Sequence, residues 1–451
     1  MKVTVGRLAD LLGGTLHEVL PETEVTGFAT DSRDAGPGTA FLAIRGSRVD
    51  GHDFVSAVES AVSVTERIMD APCIVVPDLV AALARAASTL RASFSGPVVA
   101  VTGSNGKTTT KEFLAAGLSA LGPVLKSEGN RNTEYTSPLV WFDLDASVHR
   151  AVVVEMGMRG FGQIAHLASF ARPTIGVVTN IGTAHVEMVE SRAGIARAKG
   201  ELLEALPPDG VAVLPADDEF LADLRALCPC PMVTFGFSPD ADASIQGYRA
   251  ETDGTSSIQI RWKNTSFSLK LPMIGRHQAQ NAAAAFVAVV MAGVDPEAAA
   301  RRISEATPPP MRMEIRRWQG RTILMDAYNA SPDSMIAALK TLVDMPSAGP
   351  RIAVLGDMKE LGRFAEQGHR QVGRVIAEGG LDRVIFMGEM MRFARDEAVA
   401  GGYPTARIMS FDGLPYDEVC QEILNESTDS LVLIKGSRSL EMERILAEVV
   451  V

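Results

Sequence analysis

The chain has 451 residues, 46% hydrophobic and 22% charged, with a formal net charge of −12. That length suggests about three domains of roughly 150 residues each. The acidic balance excludes broad electrostatic attraction to nucleic acid or to an anionic membrane, so an anionic ligand must be held by local groups.

No apolar run reaches the ~18 residues of a membrane span, and MKVTVGRLADLLGG at the N-terminus lacks a signal-peptide core. Cys73, Cys228, Cys230 and Cys420 show no zinc or disulfide framework, which fits a reducing compartment. A cytoplasmic protein with no membrane insertion and no nucleic-acid partner is expected. To about residue 95, short strands mix with turns such as DSRDAGPG and RGSRVDGHDF. Gly96 and Pro97 break this pattern. From there to about residue 210, strands alternate with helices. VVAVTG, AVVVEMG and TIGVVTN are short β-branched runs ending in polar or glycine residues, the pattern of a mainly parallel sheet covered on both faces. Ligands are then expected beyond the carboxyl ends of these strands. SIQIRWKNTSFSLKLPM alternates in two halves around Lys263 and Asn264, which predicts a hairpin. TPPPMRM, residues 307 to 313, is the clearest linker, because three prolines fit neither a helix interior nor a central strand. After it, TILMDAYN, RIAVLGDM, RVIFMGE and LVLIKGS predict four strands of a third α/β domain.

The first of these strands runs into TGSNGKTT. Gly103 and Gly106 are followed by Lys107, Thr108 and Thr109, which is shorter than the commonest phosphate loop, where four residues separate the glycines. A strand, a glycine loop and a helix N-terminus still make an anion site. Lys107 is placed to reach terminal phosphates and Thr108 to ligate Mg²⁺. Glu155 ends the AVVVE strand, where nucleotide enzymes set a carboxylate toward Mg²⁺. His185, in TNIGTAH, follows a third strand and reads equally as structural or functional. Lys199 shares a helical face with Ile195 and Leu202. It reads either as a lysine that snorkels to water or as a buried amine that loses its proton and can take up CO₂. His277 and Asn281 lie at i, i+4 near the start of an alanine-rich helix, as flanks for a base or as a cap and a buried amide.

These residues in this order resemble the Mur ligase family of peptidoglycan synthesis, over most of the chain. The phosphate loop is similar to the family's own short version. EMGMRGFGQI, IARAKGE, DAYNASPDSM, LGDMKELG and KGSRSLEME, with Lys111 after the loop, are similar to the member that extends a tripeptide. The chain departs from the usual motifs at Gln278, at NTEYTSP and at Ala330-Ser331-Pro332, and D-N-P-R is absent. The resemblance implies an α/β fold of three domains. These are a small mixed N-terminal domain (1–95) for a UDP substrate, a central mainly parallel-sheet P-loop ATPase domain (96–310) and a C-terminal Rossmann-like domain (311–451).

It implies an ATP-dependent carbon–nitrogen ligase, with UDP-N-acetylmuramoyl-tripeptide and D-alanyl-D-alanine as small-molecule substrates and a monomeric state. ATP would be held by Gly103, Ser104, Asn105, Gly106, Lys107, Thr108 and Thr109, with Asn132 near the γ-phosphate. His277 and Asn281 would frame the adenine, Arg312 and Asp326 would reach phosphate and ribose from the third domain, and Asn329 would lie nearby at the nucleotide. Two Mg²⁺ ions are implied, one on Thr108 and Glu155 and one near His185 and a carbamylated Lys199. Ser32 and Arg33, in TDSR, would meet the UDP part. A folylpolyglutamate synthase-like ligase is the nearest rival, and TDSR and LGDMKELG speak against it. A nucleotide switch is a further rival, but the N-K-x-D guanine signature is missing.

Overall fold

The computed structural model describes residues 2–46, 49–184 and 186–446. Among the described residues there are four sheets, of two, five, nine and six strands. The chain is mixed α/β and builds three units in sequence.

The first unit carries the five-stranded sheet, in the order Thr15–His17, Cys73–Val75, Val62–Thr65, Thr39–Leu42, Gly27–Ala29. All its pairings are parallel except that of Thr15–His17. The Val5–Leu12 and Leu79–Arg91 helices pack Leu8, Leu12 and Leu83 onto Leu42, Val62 and Ile74. This core also takes in Leu139, from a 3-10 turn at Pro138–Asp143 well outside the first unit in sequence.

The central sheet has nine strands. Its parallel centre runs Val124–Lys126, Ala151–Glu155, Val98–Thr102, Ile175–Val178, Val211–Pro215. Val98–Thr102 and Ala151–Glu155 are buried at every position, because helices cover both faces. One face packs on the Lys107–Leu118 and Arg276–Met291 helices and the other on Gln163–Ala171 and Arg192–Glu204. The predicted hairpin forms as Ser256–Trp262 and Thr265–Leu271, antiparallel, with Ile258, Ile260, Phe267, Leu269 and Leu271 on its buried face. Lys263 takes φ of 55° in its turn.

No helix or strand covers residues 307 to 313. The third sheet follows, in the order Glu314–Trp318, Arg321–Asp326, Leu431–Lys435, Arg351–Gly356, Arg383–Met387, Ile408–Phe411. It is parallel apart from its first pair. The four predicted strands are its inner ones, and the two edge strands complete it. Among the described residues no helix is long and apolar enough to cross a membrane.

Candidate active site

The carboxyl ends of Val98–Thr102, Ala151–Glu155 and Ile175–Val178 open on a cleft of about 690 Å³, closed on its far side by the third unit. That volume suits a nucleotide-sized ligand.

The phosphate loop is built by the absence of side chains. Gly103 has φ of 149°, and a Cβ there would stand 1.8 Å from Thr179 Oγ1. Gly106 caps the Lys107–Leu118 helix at φ of 82°, and its Cβ would meet Asn281 Oδ1 at 2.3 Å. Asn105 is wired into the next loop: its amide donates to Asn180 Oδ1 at 3.0 Å, and its carbonyl accepts from Thr179 Oγ1 at 2.6 Å. The Gly106 N-cap has no side-chain cap bond, so the helix N-terminus is left for an anion.

Lys107 opens that helix and donates Nζ to Gly103 O at 2.8 Å. Burial pushes its pKa down. Glu155 counters this and Arg312 adds to it, which places both charges near the amine. Thr108 Oγ1 donates to Glu155 Oε2 at 2.9 Å, and Asn132 Nδ2 donates to Glu155 Oε1 at 2.8 Å. Arg312 Nη2 donates to Thr108 Oγ1 at 3.0 Å, and its guanidinium lies 4.1 Å over the Tyr328 ring. Thr109 and Lys111 are buried behind the loop, and Lys111 Nζ reaches Gly129 O at 3.1 Å.

Lys199 is 1% exposed in the Arg192–Glu204 helix, so it does not snorkel to water. Its pKa falls well below the usual lysine value, first through burial and then through the Lys107 ammonium. His185 lies outside the described residues. Among the described residues no three His, Cys, Asp or Glu cluster as a metal cage. Glu155 and Thr108 offer a carboxylate and a hydroxyl side by side, the hard oxygen donors that suit Mg²⁺ completed by phosphates.

His277 lies inside the helix that begins at Arg276, so it is no cap, and Gly275 takes that place. Burial lowers its pKa to about 4, with Asp326 opposing and Lys435 assisting. Asn281 is buried, donates to Gln278 Oε1 at 2.9 Å and supports Gly106. Asp326 and Asn329 also line the cleft. Lys435, at the head of KGSRSLEME, has no role in the assignments above. It is 2% exposed, and its Nζ donates to Asp326 Oδ2 at 2.6 Å and Asn329 O at 2.9 Å. The signal was available: a lysine ending the apolar run LVLIK must be paired if the strand is buried.

Ser32 and Arg33 do not join this group. They lie on a 3-10 turn of the first unit and do not line the cleft. Arg33 is exposed, and its fork is held by Asp31 at 2.9 and 2.5 Å.

Three family models match. The Mur ligase middle domain covers residues 101–289, the Mur ligase glutamate ligase domain 311–438 and the Mur ligase family catalytic domain 24–64. The UDP-N-acetylmuramoyl-tripeptide–D-alanyl-D-alanine ligase of Bacillus subtilis (strain 168) is 34% identical, over 100% of this chain and 99% of that protein. The Escherichia coli (strain K12) protein of that name is 32% identical, over 99% and 98%. Among solved structures, MurF from Acinetobacter baumannii superposes with a TM-score of 0.87 at 32% identity, over 99% of this chain and 98% of that one. The MurF ligase of Thermotoga maritima in complex with ADP gives 0.80 at 29% identity, over 94% and 96%.

Proposed function

The chain belongs to the Mur ligase family, and from that membership we propose that it joins D-alanyl-D-alanine to UDP-N-acetylmuramoyl-tripeptide with cleavage of ATP to ADP and phosphate. The product is the UDP-muramoyl-pentapeptide precursor of peptidoglycan. The observation that carries the chemistry is the meeting of Lys107, Thr108, Glu155 and Arg312 from two units around one glycine loop.

A carboxylate and an amine do not condense unaided. An oxygen of the tripeptide's terminal carboxylate attacks the γ-phosphorus of ATP, ADP leaves, and an acyl phosphate forms. The amine of the dipeptide then attacks the acyl carbon, the tetrahedral intermediate collapses, phosphate leaves and the amine's proton passes to a base. Carboxylate and triphosphate repel each other, so the site must supply positive charge, as in other phosphoryl transfers. Lys107 from the central unit and Arg312 from the third do this together. The backbone N–H groups of Gly106 to Thr109, at the N-terminus of the helix, cradle the phosphates, and Asn132 orients the Glu155 carboxylate. His277 and Asn281 are assigned to the adenine side, Asp326 to the ribose with Asn329 nearby, and Ser32 and Arg33 to the UDP part.

Thr108 and Glu155 would hold one Mg²⁺. Lys199, as a carbamate, and His185 would serve a second. Bound there, the ions would screen phosphate charge. The carbamate has a physical motive in this fold. Two buried ammonium groups, Lys199 and Lys107, disfavour each other, and the neutral Lys199 amine can add CO₂ and become an anion.

The units divide at residues 95/96 and 310/311 in this reading. The reading extends to a monomer, and the need for ATP suits the cytoplasm. The test is mass spectrometry of the product from ATP, UDP-muramoyl tripeptide and D-alanyl-D-alanine. A mass gain of one dipeptide less water, with ADP and phosphate in equal amounts, is expected. Full ATP turnover without dipeptide would overturn the reading.

A further inference from the structure

Two side chains at the start of the Pro332–Asp344 helix cross from the third unit into the central one. Asp333 Oδ2 accepts from the Thr183 amide at 2.7 Å and from the Thr183 hydroxyl at 2.8 Å. The residue before it, Gly182, donates its amide to Ser104 Oγ at 2.9 Å. Ser331 Oγ donates to Asn105 Oδ1 at 3.1 Å. Both lines end on neighbouring residues of the phosphate loop.

The receiving side is shaped for the carboxylate. A Cβ on Gly182 would stand 2.5 Å from Asp333 Oδ2 and 3.2 Å from Ser104 Cβ. The giving side is stiff. Ser331 and Ser334 form a capping box around Pro332, so this turn moves with its helix and with the whole unit. None of the roles given above uses Asp333.

We propose that Asp333 is a positioning residue: through Thr183 and Gly182 it ties closure of the third unit to the conformation of the phosphate loop. This rests on the ligase reading. An acyl phosphate is lost to water unless the cleft stays shut until the amine attacks. Two hydrogen bonds on one carboxyl oxygen, close behind the loop, hold it shut while the loop is ordered.

The test measures phosphate release and pentapeptide formation in one reaction. The wild-type enzyme gives one phosphate per peptide bond. Asp333→Ala is expected to raise that ratio above one and to lower kcat by about ten-fold, as loss of two charge-assisted hydrogen bonds implies. Asp333→Asn keeps an acceptor oxygen and is expected to bring the ratio back toward one. Gly182→Ala strikes the same contact from the other side, so the double variant with Asp333→Ala should be no worse than the poorer single variant. An unchanged ratio in a folded Asp333→Ala enzyme overturns the proposal, as do losses that multiply in the double variant. A wild-type enzyme that makes no pentapeptide refutes the ligase reading instead. The tie is then judged by X-ray scattering with an ATP analogue: Asp333→Ala must stay more extended than wild type, and identical profiles overturn it.

Discussion

Thr108 and Glu155, 47 residues apart in sequence, share a hydrogen bond of 2.9 Å at the mouth of two parallel strands. The hydroxyl sits on the first turn of the phosphate-loop helix, and the carboxylate ends the neighbouring strand. Thr108→Val keeps the shape and removes the oxygen. It is expected to lower kcat by about 100-fold and to raise the Mg²⁺ concentration needed for half activity. Thr108→Ser should retain most activity. A magnesium titration of the two variants checks this.

Lys107→Ala should leave the fold intact and remove about 2.7–4 kcal/mol of transition-state stabilisation, the usual loss for one such contact. Steady-state kinetics beside a thermal melt separates the two effects. Near-wild-type turnover would contradict the role given to Lys107.

Lys199→Ala should lose most activity and regain part of it with added formate or acetate, since a small carboxylate can fill the vacated space. Lys199→Arg should not substitute, because arginine stays charged and carries no CO₂. Normal turnover in both variants would exclude a carbamate.

Arg312 stacks on Tyr328 and reaches Thr108, so its direction depends on the ring beneath it. Tyr328→Phe keeps the face and should be close to wild type. Tyr328→Leu should raise KM for ATP, and Arg312→Lys should raise it about ten-fold or more, because an ammonium lacks the planar fork. Nucleotide titrations on the three variants give the order.

His277 binds its proton near pH 4 in the folded chain, against about 6.5 when unfolded. Between these values the unfolded state holds more protons, so stability falls as pH drops from 6.5 to 4 and is unaffected above that window. His277→Gln should remove this part of the acid sensitivity, roughly 3 kcal/mol at most. Chemical denaturation at pH 7 and pH 4.5 measures it.

The buried Val runs and the alternating hairpin were legible because each pattern reports a local burial requirement. The edge strands Glu314–Trp318 and Ile408–Phe411 were not, since half-exposed edges carry mixed side chains. The phosphate loop could be read from its own short stretch. The contacts of Asp326 with Lys435, Thr183 with Asp333 and Asn105 with Ser331 span 109, 150 and 226 residues. No periodicity records such pairings, and the fold alone brings them together.

Arg91 ends the last helix of the first unit and is 9% exposed. It donates to Phe94 O, to Ala171 O at 2.9 Å and to Arg172 O at 3.1 Å, and its guanidinium lies over Trp141. Leu139 is meanwhile shared into the first unit's core. Swinging the first unit away would strand a buried cation and open an apolar seam together. The first unit is therefore fastened to the central one by polar and apolar contacts at once. A cut at residue 95 would leave the Arg91 guanidinium and two of its carbonyl acceptors, those of Ala171 and Arg172, on separate fragments.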